Sequence, residues 1–392
     1  MDEDAPAETA PERPLFGTGA NQIGVGDHNA RLVLTAIHGG AMPGADIARV
    51  TALTPQTVSV ILRRLEANGL IARLKAERGR AGRPRVPMAL ASGGALAFGL
   101  KVGRRSADLV LMDLAGHVHG RRSLRYEYPL PDLVLDFLSE GMTGLQRGAR
   151  RAGLDLARIC GLGIAAPGEL WNWGEAWGAP AEQLASWKGV DLAAEVERVS
   201  GLPVHMRNDA TSAARAERLL GASHGFRDWA YVFVGALIGG GLVLDGRVRD
   251  GTHGNPGALG PLGVCHGGRR VPLMDRASLY LLEARVGRPL PAPSESWSGL
   301  GAHLRTWIDD TSAALAQTVL DIASVIDVQG VVIDGGFPAQ VREALTARTA
   351  RAVEKFDARG LMVPRIIEGS VGADARALGA ALAPLGSRFL LD

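Results

Sequence analysis

Between Arg63 and Arg85 the chain carries eight basic residues (Arg63, Arg64, Arg73, Lys75, Arg78, Arg80, Arg83 and Arg85) against two acidic ones, Glu66 and Glu77. That is a local net of +6 in a chain whose formal net charge is +2. Cations at this density suit the phosphate oxygens of a nucleic acid, and a patch localises the affinity that a uniform excess would spread. Just upstream, Thr54, Gln56, Thr57 and Ser59 offer the short hydroxyl and amide side chains that read base edges in a major groove. An arginine-rich loop alone is more often a solvated surface. Directly behind such polar side chains, it reads as part of a DNA-binding unit.

The elements that must hold these groups follow from apolar spacing. Ala45, Ile47, Ala48, Leu53, Val58, Ile61, Leu62 and Leu65 recur at helical intervals, which predicts two helices sharing one small core, a helix-turn-helix. Thr54 is a natural N-cap and Pro55 a natural first helical residue, so the second helix projects Gln56, Thr57 and Ser59 from its first turns. Asn68-Gly69 should end it, and Leu70-Ile71 should begin a strand. The run Gly79-Arg80-Ala81-Gly82-Arg83-Pro84-Arg85 reads as a wing whose arginines enter a minor groove. Asn29 to His38 is amphipathic and should pack Leu32, Val33 and Ile37 behind the pair. The expected DNA-binding set is Thr54, Gln56, Thr57, Ser59, Arg63, Arg80, Arg83 and Arg85.

Length bounds the rest. A chain of 392 residues with 46% hydrophobic content can bury two or three cores. Residues 1–20 are rich in Asp, Glu, Ala and Pro and are expected to be a disordered tail; residues 21–93 form the expected winged helix-turn-helix, and 94–392 the body. Cys160 and Cys265 are too few and too far apart for a disulfide framework, which suits a reducing cytoplasm. No apolar run long enough to span a bilayer and no leader pattern occurs, so a cytoplasmic protein without membrane contact is expected.

Within the body, 97–102 and 108–113 read as strands around a turn at 103–105, with a third strand after Gly116, a helix from Pro131 to Ala152 and an apolar strand over 159–166. A second set follows at 230–234 and 239–246, then helices around 270–286 and 301–326, then a buried strand over 330–336. Strands ending in glycines, in two such sets, predict an α/β body of two similar lobes with ligands between them. Asn208 reads as a strand-end turn residue and Asp209 as the N-cap of the helix that follows. Trp171, Trp173 and Trp177 form an aromatic cluster read as packing or interface residues, and Trp229, Trp297 and Trp307 as lobe packing.

Residues 94–392 resemble the ROK family of repressors and sugar kinases with an actin-like ATPase fold, and the winged helix resembles that of its repressor branch. The resemblance rests on Gly161-Leu162-Gly163-Ile164-Ala165-Ala166-Pro167-Gly168, Trp187-Lys188-Gly189-Val190, Asn208-Asp209-Ala210-Thr211-Ser212-Ala213-Ala214, the 251–260 stretch and Gly372 to Gly379. It implies a two-lobed body (lobe 1 about 94–208 plus 375–392, lobe 2 about 209–374), a sugar or sugar-derivative ligand in the cleft, and a homodimer or homotetramer. It also implies that Asp209 matches the base of the kinases and Asn208 its sugar-orienting neighbour.

Departures from that pattern predict a regulator rather than an enzyme. Where the family's kinases hold phosphate with Asp-x-Gly-Gly-Thr, this chain has Lys101-Val102-Gly103-Arg104-Arg105. The Gly-Glu-x-Gly-His motif becomes Gly257-Ala258-Leu259-Gly260-Pro261, and one cysteine, Cys265, is left of the zinc cluster, so no structural zinc and no other cofactor are expected. The effector contact set reduces to Gln183, Asn208, Asp209 and His253, with no catalytic residue. The reading is a transcriptional regulator, a repressor of carbohydrate-related genes, bound to double-stranded operator DNA. The alternatives are a sugar kinase with an accessory reader and an effector-independent DNA-binding scaffold.

Overall fold

The computed structural model describes residues 22–76, 85–168, 181–222 and 224–391. The expected tail, the wing arginines Arg80 and Arg83, and Trp171, Trp173 and Trp177 lie outside them.

The N-terminal unit is built from α1 (Gln22–His38), the short β1 (Met42–Pro43), α2 (Gly44–Thr51), α3 (Pro55–Ala67), β2 (Ile71–Arg73) and β3 (Pro87–Leu90), with β3 pairing antiparallel to both β1 and β2. Val33, Leu34, Ile37, Ile47, Ala48, Val58, Ile61 and Leu65 are buried together. Leu32 is only half-buried and Ala45 is exposed, because the stripe on α1 runs through Val33, Leu34 and Ile37, and on α2 through Ile47 and Ala48. Thr54 caps α3 by accepting from the Thr57 amide at 3.2 Å, with Pro55 at the first helical position. After Asn68, Gly69 takes the left-handed conformation (φ 68°) that closes the helix.

The body repeats one plan twice. Strands β4 (Leu96–Val102), β5 (Ser106–Asp113) and β6 (Val118–Arg125) form an antiparallel meander; α4 (Pro131–Arg151) then leads to β7 (Ile159–Ala166), which runs parallel to β4. Next come α5 (Ala181–Leu184), α6 (Leu192–Ser200) and β8 (Val204–Asn208), giving the order β6-β5-β4-β7-β8. Central β4 is buried throughout, as a strand covered on both faces must be, whereas the edge strand β6 is largely exposed and carries Arg121, Arg122 and Arg125.

After α7 (Asp209–Leu220), strands β9 (Trp229–Val234), β10 (Ile238–Leu244) and β11 (Arg247–Val248) make the second meander. The hairpin β12 (Gly263–His266) and β13 (Arg269–Pro272) precedes α8 (Met274–Ala277), α9 (Leu279–Val286) and α10 (Gly301–Ile326). The helix expected from about 270 therefore starts at Met274. Gly267 and Gly268, at φ 57° and 75°, turn the chain so that residues 269–272 pair back as a strand instead. Strands β14 (Gly330–Gly335) and β15 (Arg365–Glu368), joined by α11 (Ala339–Val353), run parallel to β9, so the order β11-β10-β9-β14-β15 mirrors the first sheet. Trp229, Trp297 and Trp307 are buried in this half, Trp307 donating to the Ser278 carbonyl at 3.0 Å.

The last helix, α12 (Ala375–Phe389), returns to the first sheet. A Cβ on Gly163 of β7 would lie 1.8 Å from the Ala380 carbonyl oxygen, and one on Gly379 of α12 would lie 1.8 Å from that of Ser212 on α7. Glycine at these two sites lets α12 contact both strand and helix at backbone range. The end of α12 meets the N-terminal unit: Arg31 Nε donates to the Leu390 carbonyl at 2.9 Å and the Leu391 amide to Thr35 Oγ1 at 2.8 Å. Leu382, Leu385 and Leu390 share one apolar cluster with Val33 and Ile37. Arg158, just before β7, donates to the carbonyl of Asn68 across the joint and to that of Gly94 at the start of the body.

Candidate functional site: a reader helix and an interlobe cavity

At the N-terminal unit, Gln56, Ser59 and Arg63 are exposed on α3, two of them within its first turns. The hydroxyls of Thr54 and Thr57 lie 2.8 Å apart, so these two side chains lock the helix start and leave Gln56 and Ser59 as the uncommitted polar groups. Arg63 Nε reaches the Ser59 carbonyl at 3.3 Å. Arg85 pairs with Asp46 of α2 at 3.6 Å, which ties the near end of the predicted wing to the helix pair, and Arg73 pairs with Glu66 at 2.8 Å.

A cavity of about 480 Å³ opens between the two sheets, within the range of small-ligand sites. The first sheet contributes Gly103, Arg104, Pro167, Gly168, Asn208 and Asp209; the second contributes Phe233, Leu237, His253, Asn255, Ala258 and Met274; Arg376 enters from the first turn of α12. Asn208, and not Asp209, caps α7: its Oδ1 accepts from the amides of Ala210 at 2.9 Å and Thr211 at 3.1 Å. The extended backbone of Asn208 puts its side chain over those orphan amides, whereas Asp209 is already the first helical residue. Asp209 is thereby left at the positive end of the helix, its Oδ2 accepting from Arg376 Nη1 at 3.3 Å.

His253 is exposed at the rim, shared with a smaller neighbouring cavity. Gln183 is exposed on α5, and the cavity lining does not include it. Arg376, Arg104 and Phe233 were not among the expected contacts. Arg376 stands inside the Gly372–Gly379 stretch, where only the fold reveals that the helix start faces Asp209.

The first hairpin shows what its basic residues do. Lys101 turns back into the hairpin, donating to Asp108 Oδ2 at 2.9 Å and to the Ser106 hydroxyl at 2.7 Å, in space a Cβ on Gly103 would occupy. Burial lowers the Lys101 pKa against the pull of Asp108. Burial of Asp108 works to raise its own pKa, but Lys101 and the hydrogen bonds from Ser123 and Lys101 outweigh it, so Asp108 is held below the usual carboxylate range. Arg104 and Arg105 reach across to Glu283 of α9, at 3.7 and 3.2 Å, so the hairpin is pinned to the opposite half of the body. They stand in the wall of a second cavity of about 950 Å³. Burial, then the neighbouring Arg105, lowers the Arg104 pKa.

Cys265 is exposed on β12, and among the described residues no cluster of His, Cys, Asp or Glu has the geometry of a metal site. No helix among them is long and apolar enough to cross a membrane.

Comparison with known proteins follows the same division. Residues 97–272 match the ROK family, and residues 26–82 match the MarR family. The chain is 30% identical over 226 residues to the bifunctional enzyme NanE/NanK of Brucella suis, covering 53% of this chain and 40% of that protein. It is 28% identical over 262 residues to the DNA-binding transcriptional dual regulator NagC of Escherichia coli, covering 63% of this chain and 61% of that one. It thus spans less than two thirds of either relative. Among solved structures, a ROK family transcriptional regulator described as a homolog of the E. coli MLC protein superposes with a TM-score of 0.64 at 23% identity, over 92% of this chain and 96% of that one, a likeness of fold. The body thus matches the ROK family over residues 97–272, the N-terminal unit matches the MarR family over residues 26–82, and the whole shares the fold of that transcriptional regulator.

Proposed function

We propose that the protein is a DNA-binding transcriptional regulator, a repressor of carbohydrate-related genes, whose affinity for operator DNA is set by a sugar-like effector in the 480 Å³ cavity. The single observation that carries this reading is the reach of α12. Its first turn holds Arg376 against Asp209 in the cavity, and Leu390 and Leu391, the residues that directly follow it, are hydrogen-bonded to Arg31 and Thr35 of the reader's first helix. Between those ends the glycine contacts with β7 and α7 leave little slack. A ligand that moves Asp209 or Arg376 therefore displaces a helix that is part of the reader's own core. Coupling requires only that the ligand prefer one of two placements of that helix.

On this reading a homodimer or homotetramer in the cytoplasm sets two α3 helices on successive major grooves of a pseudo-palindromic site, about 34 Å apart, with Arg83 in the adjacent minor groove. The chain does not act as a kinase. Lys101 is paired with Asp108, the carboxylate of its own hairpin, and Arg104 and Arg105 are held by Glu283, so the hairpin has a committed carboxylate and bulky cations where phosphate binding needs a metal ligand and small residues. Genomic footprinting of the full-length protein tests the reading: recurring two-fold symmetric sites beside carbohydrate genes are expected. Absence of any specific duplex, or hexose-dependent nucleotide turnover at an ordinary enzymatic rate, would overturn it.

A further inference from the structure

The body carries cations that its own packing leaves unanswered. Arg147, Arg150 and Arg151 stand in the last two turns of α4 at positions i, i+3 and i+4, so they share one exposed face. A fourth, the exposed Arg122 of β6, joins them from the neighbouring strand. With Gly120 it belongs to the side of β6 that meets α4: a Cβ on Gly120 would lie 2.6 Å from Leu145 Cδ2, and one on Gly144 would lie 3.2 Å from Arg122 Nη2. Glycine at 144 thus leaves the guanidinium room beside the helix, one turn before Arg147. None of the four arginines has an ionic partner among the described residues, and the chain from Thr143 to Leu154 contains no acidic residue. Arg121, on the other side of β6, is by contrast paired with Asp374 at 2.7 Å. Basic residues in a last turn complement the helix dipole, but one or two suffice, and like charges at these spacings repel. Four unpaired guanidinium groups on one face match a polyanion.

That face ends at the joint with the reader. Leu154, three residues past α4, meets the linker, its Cδ2 2.7 Å from where a Cβ on Gly93 would stand. Arg158 donates to the Asn68 carbonyl at 3.0 Å, at the C-terminal end of α3. With 13 residues α3 is about 20 Å long, whereas a major groove is about 8.5 Å deep. A reader docked by its first turns therefore leaves the far end of α3, and the end of α4 beside it, outside the groove at the level of the phosphates. Resting on the regulator reading above, we propose that the arginine face of α4 and β6 is a second DNA-binding surface, which takes the sugar-phosphate backbone of the duplex flanking each half-site. Backbone contact reads no bases, so this surface adds affinity without changing which sequence is chosen.

The test is fluorescence anisotropy of the full-length protein, over a salt series, on a footprinted operator in two lengths. One duplex is trimmed to its two half-sites, and the other is extended on each side by about 15 base pairs of arbitrary sequence, roughly 50 Å. Wild type should bind the extended duplex at least about tenfold more tightly whatever the flank sequence, and log affinity should fall more steeply with log salt there, by about 0.9 for each phosphate neutralised. Combining Arg147→Gln, Arg150→Gln and Arg151→Gln should leave the trimmed duplex bound within about twofold, erase most of the flank advantage and lower the salt slope by about 2.7 per protomer. The unfolding midpoint should not move, and the corresponding lysine variant should keep the slope. A wild-type protein indifferent to the flanks, or a glutamine variant that keeps both flank advantage and slope, overturns the inference and leaves the regulator reading intact. An equal loss on both duplexes also overturns it, by showing that these arginines support the reader rather than grip the flanks. Failure of wild type to bind any duplex removes the DNA-binding reading itself.

Discussion

Replacing Gly379 by alanine probes the α12 connection with one methyl group. The added carbon would lie 1.8 Å from the Ser212 carbonyl oxygen, 2.4 Å from its carbon and 3.0 Å from its Cα. Ordinary contact requires roughly 3.4 Å or more, so α12 and α7 must separate by about 1.5 Å, and both are buried along this face. Overpacking of this kind costs about 1–3 kcal/mol. At roughly 2–4 °C per kcal/mol for a domain of this size, the unfolding midpoint should fall by about 2–12 °C.

A second glycine supplies a control of opposite sign. Gly148, exposed within α4, would place a Cβ with nothing within 4 Å. Gly148→Ala should therefore gain about 0.5–1 kcal/mol through helix propensity alone. Both variants are compared by thermal unfolding, with operator affinity and its effector response measured beside them. The expected pattern is a lower midpoint and a blunted response for Gly379→Ala, and a slightly higher midpoint with a normal response for Gly148→Ala. A Gly379→Ala protein that unfolds like wild type and keeps its full response would refute the close-packed coupling of α7 to α12.

Other expectations follow from single contacts. Thr54→Ala removes the α3 cap and should cost about 1 kcal/mol of reader stability, weakening operator binding measured by fluorescence anisotropy; an unchanged affinity would separate the cap from DNA reading. His38, at the end of α1, has a buried Nε2 without a partner, and burial followed by Arg218 lowers its pKa. The unfolded chain then takes up the proton first. Stability is full above about pH 6.5 and declines as the pH falls below it, and His38→Gln should flatten the slope of the unfolding midpoint between roughly pH 7 and 5.5. Glu283→Gln removes the negative partner of Arg104 and Arg105 and should loosen the two halves of the body, seen as faster amide exchange in the 101–106 hairpin; unaltered exchange would mean that the pair holds nothing shut.

The parts of the architecture set by local rules were legible before the fold was known. The Thr54-Pro55 start and Asn68-Gly69 end of α3 follow from capping chemistry, and the long apolar runs of β4, β7 and β14 announce strands covered on both faces. The helix expected from about 270 overlapped the last residues of the hairpin at 263–272, whose signal lies in two glycines of positive φ rather than in any periodicity. In the site, Asp209 was found from its motif, but its cap role belongs to Asn208, a choice decided by one backbone dihedral pair. Arg376 and Glu283 could not be read from the chain. Each meets its partner across 167 residues or more, and only the return of α12 and the apposition of the two sheets bring them together. Gln183 was carried by resemblance, and here it is exposed on α5 away from the cavity lining.

The central claim is that occupancy of the cavity governs the reader through α12. The most direct measurement is operator affinity of the full-length protein with and without a bound sugar derivative, for wild type and for Asp209→Ala. Equal operator affinity in the absence of ligand, with a ligand response in wild type that Asp209→Ala abolishes, is the predicted result. An induction curve unaltered by Asp209→Ala would contradict the claim and place the effector site elsewhere.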